Sequence, residues 1–432
     1  MLAALFVILG CASALSPLAS DADKEAAAIK LLKPFASSDL ASPVMVMEES
    51  SSSASDSSTK TLVQTAIPGD PMCLDGSPFY IYFRPASDPE NADKFAMYLE
   101  GGGLCVERED CHQRAKSALG SSTYWGSGNL SKENNILSTD ASNPFHSWNH
   151  VFMRYCSGDT WTGTQTLETG PGRYDLYFNG HEQVKHALSY LEDNHDLGVS
   201  SSSQFILSGE SAGGIGTNTN CDYVAERYPG MDVRCSPQAG LFFPAGTVAE
   251  WAKRLDITFA DMNSIASWYL SRMFSSFHDA TCIEAAKAAG HQEELCWDSG
   301  YVSQHIESPL LIAQNMWDEL QIDDILCFEG DSEHFSCPDE FLRTFRNNTV
   351  ESLSDLVNAN PERVGAWIPS CFEHVTDTCL VKDKKTLVQG KSYLDVMTQW
   401  MKDGSLGLYV DDCTGDEGDE DVKPCNEYCK MC

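Results

Sequence analysis

Positive charge is what this 432-residue chain has least of: 29 Lys and Arg face 63 Asp and Glu, for a formal net charge of −34. Nucleic acid and anionic membranes would repel such a chain, so neither is expected as a partner. The acidic excess instead gives a solvated surface that keeps the chain soluble. Long apolar runs are also missing. None reaches the roughly 18 residues of a membrane-spanning helix, so no transmembrane span is expected. No internal repeat is visible. Metal-ligating clusters are equally scarce. Cys425, Cys429 and Cys432 lie close together, but no second Cys/His cluster stands near them, so neither a metal nor another cofactor is expected.

Cysteine, by contrast, is plentiful. The chain opens on "MLAALFVILGCASALS", with an apolar run from Leu2 to Gly10 followed by Ala12-Ser13-Ala14. This reads as a secretory signal peptide over residues 1–14, although it lacks a basic n-region. Lipid attachment at Cys11 is the alternative, and Ile8-Leu9-Gly10 matches that signal poorly. Of 17 cysteines, loss of Cys11 with the signal leaves 16, enough for eight pairs. A high even number behind an export signal points to disulfides and to a protein secreted to the extracellular space, the cell wall included. Asn129 and Asn347 head glycosylation sequons and agree with export.

Composition divides the rest of the chain. Residues 15–65 hold few aromatics and the run "EESSSSASDSSTK", and are expected to be a disordered linker or propeptide. Residues 411–432 form an acidic tail with cysteines that could staple it back. Between them, residues 66–410 are expected to be one monomeric catalytic domain. Its apolar runs "KFAMYLEGGG", "HVFMRYC", "QFILSGES" and "PLLIAQNMWDE" read as buried strands. "HEQVKHALSYLEDN" instead puts Val184, Ala187, Leu188 and Leu191 on one helical face. Buried strands alternating with such helices predict an α/β fold, a mostly parallel sheet with helices on both faces. At 42% hydrophobic, the chain has material for a large core. Chemistry in such sheets gathers at the carboxyl ends of the strands.

One of those ends carries "GESAG", with Ser211 between Gly209 and Gly213. A strand enters and a helix, about Gly214 to Tyr228, leaves, which is the setting of a nucleophile elbow. The bland alternative is an ordinary glycine-rich turn. A serine nucleophile needs a base, and the base an orienting acid, in the chain order Ser, acid, His. Asp318 follows the strand "PLLIAQNMW"; Glu319, Asp323 and Asp324 remain open as the acid. Only His334 and His374 come after it. His334 sits in an acidic loop, while "AWIPSCFEHV" could hold His374 firmly. An oxyanion hole would use the N–H of Ala212 and the glycine run of "LEGGGLC".

With these residues in hand, the chain resembles the pectinacetylesterase/Notum family of carboxylesterases. The resemblance is carried by "CLDGSP", "YLEGGGLC", "ALGSS", "NPFHSWNHVFMRYCSGDTWTG", "LYFNG", "LSGESAGG", "SPLLIAQNMWDELQI" and "IPSCFEH", spread over Cys73 to Val410. It implies an α/β-hydrolase-type fold with Ser211 as nucleophile, Asp318 as acid and His374 as base. Gly102, Gly103 and Ala212 become the implied oxyanion donors. Cys105 and Cys111 are the expected local disulfide, pinning the loop beyond those glycines. The implied function is a secreted esterase that removes O-acetyl groups from a cell-wall or matrix polysaccharide. Removal of a fatty acyl group from a protein is the other task in the family, and a catalytically silent binding glycoprotein is the alternative from another class. Three departures stand out. Leu104 follows the glycines where many members have an aromatic residue. Gln238 replaces an aspartate, which predicts a lost hydrogen bond. Glu210 adds negative charge beside the serine.

Overall fold

A computed structural model describes residues 20–41, 62–69, 71–126, 135–168, 175–200, 203–248, 250–253, 258–327, 337–375, 386–412, 425–426 and 429. The expected signal peptide, the serine-rich run 48–60, Asn129, His334, Cys432 and most of the acidic tail lie outside the described residues.

The strands, in chain order, are β1 (Val63–Ala66), β2 (Tyr80–Arg84), β3 (Lys94–Leu99), β4 (Asn149–Met153), β5 (Gln165–Leu167), β6 (Leu176–Phe178), β7 (Gln204–Glu210), β8 (Asp232–Gln238), β9 (Leu310–Ala313), β10 (Val364–Ile368) and β11 (Leu408–Val410). β5 and β6 form a small ribbon of their own. The other nine make one sheet in the order β1-β2-β4-β3-β7-β8-β9-β10-β11. β1 and β2 run antiparallel to their neighbours, and the pairings from β4 to β11 are parallel. This is the mostly parallel α/β sheet that the sequence predicts.

Period-2 alternation divides the core between the two faces. Phe95, Met97, Leu99, Phe205 and Leu207 enter the larger cluster, while Ala96, Tyr98 and Ile206 enter the smaller one on the opposite face. The helices α1 (Asp21–Ala41), α2 (Arg108–Arg114), α3 (Gly180–His195) and α4 (Ala212–Arg227) pack around this frame. In α3 the expected face, Val184, Ala187, Leu188 and Leu191, is fully buried.

Three expectations are corrected. The segment 15–65 is not a linker throughout, because Asp21–Ala41 is helical and buries Ala28, Leu31 and Leu32 in the core. β1 begins at Val63 and Leu62 is buried, so the domain starts before residue 66. β9 ends at Ala313, well short of the predicted strand. Gln314 N–H still donates to the Trp367 oxygen of β10 at 3.2 Å, while the side chains of Gln314 and Asn315 bond Asp318 and the Glu373 carbonyl.

Disulfides tie loops to this frame: Cys73–Cys156, Cys105–Cys111, Cys221–Cys235, Cys282–Cys296, Cys327–Cys337 and Cys371–Cys429. The expected Cys105–Cys111 bridge is among them. Cys429 is thus paired, and Cys425 is disulfide-bonded too, so both sulfurs are engaged in bridges. Among the described residues, no helix is long and apolar enough to cross a membrane. Asn347 lies exposed on the helix Asp339–Ala359.

Candidate active site

The register of the central strands builds the site. Leu99 of β3 pairs with Gly209 of β7, so the glycine run after β3 emerges beside the turn after β7. That turn is as tight as the sequence demands. A Cβ on Gly209 would lie 2.6 Å from the backbone oxygens of Leu99 and Gly213, and one on Gly213 would overlap the Leu99 oxygen. Both positions therefore need glycine for close backbone approach. Ser211 itself has φ 55° and ψ −119°, in a region that strains a residue with a Cβ. Its N–H donates to the Gln238 oxygen at 3.0 Å, and α4 begins at Ala212 immediately after it, two residues earlier than predicted. Ser211 is 7% exposed. This is a strand–turn–helix elbow with the serine at its apex.

β9 and β10 are neighbours, and the loops after them meet. Met316 N–H donates to the Pro369 oxygen at 3.0 Å and Trp317 N–H to that of Cys371 at 3.3 Å. This holds Asp318 against His374, whose Nδ1 lies 2.9 Å from both carboxylate oxygens. Asp318 is fully buried, and it also accepts from Gln321 N at 3.1 Å and Gln314 Nε2 at 3.2 Å. A carboxylate accepts, so Nδ1 carries a proton, and in the neutral ring the lone pair is on Nε2. Phe242 packs near the imidazole, 6.0 Å between ring centroids. Of the other acids left open, Glu319 is exposed and Asp323 half-buried, with its carboxyl raised by burial; the imidazole of His374 meets Asp318. Cys371–Cys429 anchors the chain three residues before this histidine.

The glycine run completes the site. Gly102 (φ 136°) and Gly103 (φ 62°) both lie in left-handed backbone, which suits residues without Cβ. A Cβ on Gly102 would meet Leu119 Cδ2 at 2.7 Å and Tyr155 Cδ1 at 3.1 Å. Among the described residues, no protein acceptor takes the N–H of Gly102 or Gly103. Ala212, as the first residue of α4, has no intrahelical acceptor for its N–H.

Two of the departures have definite places in the structure. Gln238 Nε2 donates to Ser208 Oγ at 3.0 Å and its backbone oxygen holds Ser211, while its buried Oε1 has no hydrogen-bond partner among the described residues. Glu210 brings its charge near the serine, and its Oε1 accepts from Gly101 N at 3.2 Å. The stretch "RYCSGDTWTG" carries no catalytic motif of its own in the sequence. In the structure Tyr155 and Trp161 from this stretch reach the glycine run, with Tyr155 OH donating to the Gly103 oxygen and Trp161 Nε1 to that of Glu100. The available signal was a polar, glycine-containing turn directly after a buried strand.

Residues 51–430 match the family model described as pectinacetylesterase. Pectin acetylesterase 11 of Arabidopsis thaliana is 27% identical over 268 residues, covering 62% of this chain and 64% of its own length. The palmitoleoyl-protein carboxylesterase notum1 of Xenopus laevis is 28% identical over 312 residues, covering 70% of this chain and 59% of its own length. The chain therefore spans about three-fifths of either relative. A solved structure of the Wnt deacylase Notum from Drosophila superposes with a TM-score of 0.66 at 21% identity, over 85% of this chain and 99% of that one. That likeness establishes the shared fold. The match over residues 51–430 takes in every candidate site residue, and the chain belongs to the pectinacetylesterase family, whose members among these relatives are carboxylesterases.

Proposed function

We propose that the chain is an exported serine esterase that removes O-acetyl groups from an acylated polysaccharide of the cell wall or matrix. The observation that carries this reading is the Asp318–His374 pair at 2.9 Å, set at the same strand ends as the strained Ser211 elbow. Ser211 Oγ attacks the ester carbonyl while Nε2 of His374 takes its proton, and buried Asp318 keeps Nδ1 protonated and stabilises the imidazolium. The N–H groups of Ala212, Gly102 and Gly103 receive the oxyanion. Collapse expels the alcohol with the proton from Nε2, leaving an acyl-serine. Water, activated by the same imidazole, then releases acetate. No cofactor enters this cycle.

Leu104, in place of an aromatic residue beside the glycines, and the Leu119 and Tyr155 side chains against Gly102 support a short acyl group. Fatty-acyl removal from a protein is the second reading, favoured by the Notum relatives. Six disulfides among the described residues support export.

The test is a panel of aryl esters from acetate to palmitate, with a serine-directed phosphonate as active-site probe. Wild type should label at Ser211, and kcat/KM should be highest for acetate and fall by octanoate. Ser211→Ala should lose on the order of a million-fold in kcat. A fatty-acyl pocket gains about 0.8 kcal/mol per buried methylene, so a profile rising through eight or more carbons would transfer the assignment to protein or lipid deacylation. An unlabelled, inactive wild type would favour a silent binding protein.

A further inference from the structure

Among the described residues, the glycine run is hydrogen-bonded at both ends, and the N–H groups of Gly102 and Gly103 between them meet no protein acceptor. At its start, the peptide joining Glu100 to Gly101 is gripped on two sides. Its carbonyl oxygen accepts from Trp161 Nε1 at 3.0 Å, and its N–H donates to Glu210 Oε1 at 3.2 Å. At its end, the Gly103 carbonyl oxygen accepts from the Tyr155 hydroxyl at 2.9 Å. Donor and acceptor are unambiguous here. The Tyr155 oxygen itself receives the Thr160 N–H at 2.7 Å, so its own proton is committed to Gly103. The two peptides between these clamps carry the N–H groups of Gly102 and Gly103.

The turn that supplies the clamps is held by unusual means. Thr160 (φ 56°) and Trp161 (φ 63°) are consecutive non-glycine residues in left-handed backbone. Such conformations persist only where the surroundings over-determine them. Asp159 does so from full burial, accepting from Ser157 Oγ at 2.6 Å, Gly180 N at 2.8 Å and Trp161 N at 3.0 Å. Tyr155 is buried with its ring 5.3 Å from that of Trp161, and the Arg114 guanidinium carbon lies 5.7 Å from its centroid. A buried tyrosine hydroxyl needs some partner. What is specific is that both aromatic polar tips fall on the peptides bracketing the same two glycines.

We propose that Tyr155 is a positioning residue for the oxyanion hole, acting with Trp161 through the backbone of the glycine run. Glycines in left-handed backbone rotate their peptides easily. An oxyanion hole works only when its donors are oriented before charge develops. The clamps convert a flexible run into fixed donors, so their effect belongs to the transition state and not to ground-state binding. This rests on the esterase reading above.

Tyr155→Phe tests it, because it keeps the ring between Trp161 and Arg114 and removes one oxygen. Wild-type labelling at Ser211 is established first, and its failure would overturn the esterase reading and not this one. The expected result is a fall in kcat on aryl acetate of about tenfold to a hundredfold, below the loss of a full oxyanion donor. KM and the affinity of an unreactive substrate analogue should stay within about twofold. The affinity of an aryl boronic acid, which mimics the tetrahedral state, should fall by the same factor as kcat. Trp161→Phe, which removes the opposite clamp, should give the same split if Tyr155→Phe does not fold. Unchanged kcat and boronate affinity in the folded variant overturn the proposal. So do equal losses for boronate and substrate analogue, or loss of folding in both variants.

Discussion

His181 illustrates how a residue outside the candidate site couples to pH. It is buried, stacked on Phe277 at 3.9 Å, and its Nδ1 lies 2.7 Å from Asn220 Oδ1. The Asn220 amide nitrogen is spent on the oxygens of Trp161 and Gly216, so its oxygen accepts and the ring is held as a neutral Nδ1–H tautomer. Burial pushes this imidazole down to about 4, with Glu182 and Lys185 nearby acting in opposite directions. The unfolded chain therefore binds a proton below about pH 6.5 that the folded chain refuses. Stability from this group is fully present above that pH and is lost as pH falls towards 4. Replacing it should flatten the pH dependence: for His181→Gln, the stability lost between pH 7 and pH 4 should shrink by about 3 kcal/mol. Denaturant unfolding at several pH values measures this, and an unchanged slope would mean that the ring is protonated in the fold. At this scale the sequence was informative wherever chain order and spacing carry chemistry. Ser211 stood in a recognisable elbow, and chain order put Asp318 before His374. Tyr155 and Trp161 were not legible, because their partners Gly103 and Glu100 lie 52 and 61 residues away and only the folded sheet brings them together.

Among the elements, strands were easier to read than their limits. The runs around β3, β4 and β7 are apolar on both faces and could go nowhere but a buried parallel sheet. β9 stopped early for a reason that the pattern does not encode, since the side chains of Gln314 and Asn315 bond Asp318 and the Glu373 carbonyl. α1 was missed because its buried stripe is short, Ala28, Leu31 and Leu32 at helical spacing, in a stretch otherwise rich in alanine and charge. Its packing is tertiary. It lies against the helix Phe259–Phe274, with Lys24 over Trp268 and Lys33 3.5 Å from Glu107. The Lys33–Glu107 pair is exposed and adds little, and the Lys24–Trp268 cation–π contact adds about 0.5–1 kcal/mol, so the buried leucines carry most of the packing. Leu32→Ala should therefore cost about 2–5 kcal/mol if α1 folds as one cooperative unit with the sheet. Thermal unfolding reads this directly. A midpoint within a degree of wild type would mean that α1 detaches before the domain unfolds.

For the whole molecule, the net charge of −34 is the property that no local motif expresses. It acts on any charged substrate before contact, and its range is set by salt: about 30 Å at 0.01 M ionic strength and about 8 Å at 0.15 M. An acetylated polysaccharide with carboxylates along its backbone meets repulsion over its whole length, whereas an aryl acetate carries no charge. Screening should then separate the two. As salt rises from 0.01 M to 0.15 M, KM for the anionic polymer should fall while KM for the aryl acetate stays constant, with kcat for both unchanged. The neutral ester controls for any effect of salt on the fold or on the acyl transfer itself. Partial removal of the polymer's carboxylate charge by methyl esterification should reproduce the effect of salt at low ionic strength. The opposite trend, a KM for the anionic polymer that rises with salt, would mean that local cations outweigh the global charge. Near the glycine run, Arg114 is buried under Tyr155 and Arg154 packs on Trp125 at 5.0 Å. Repulsion relieved by salt is the expected result.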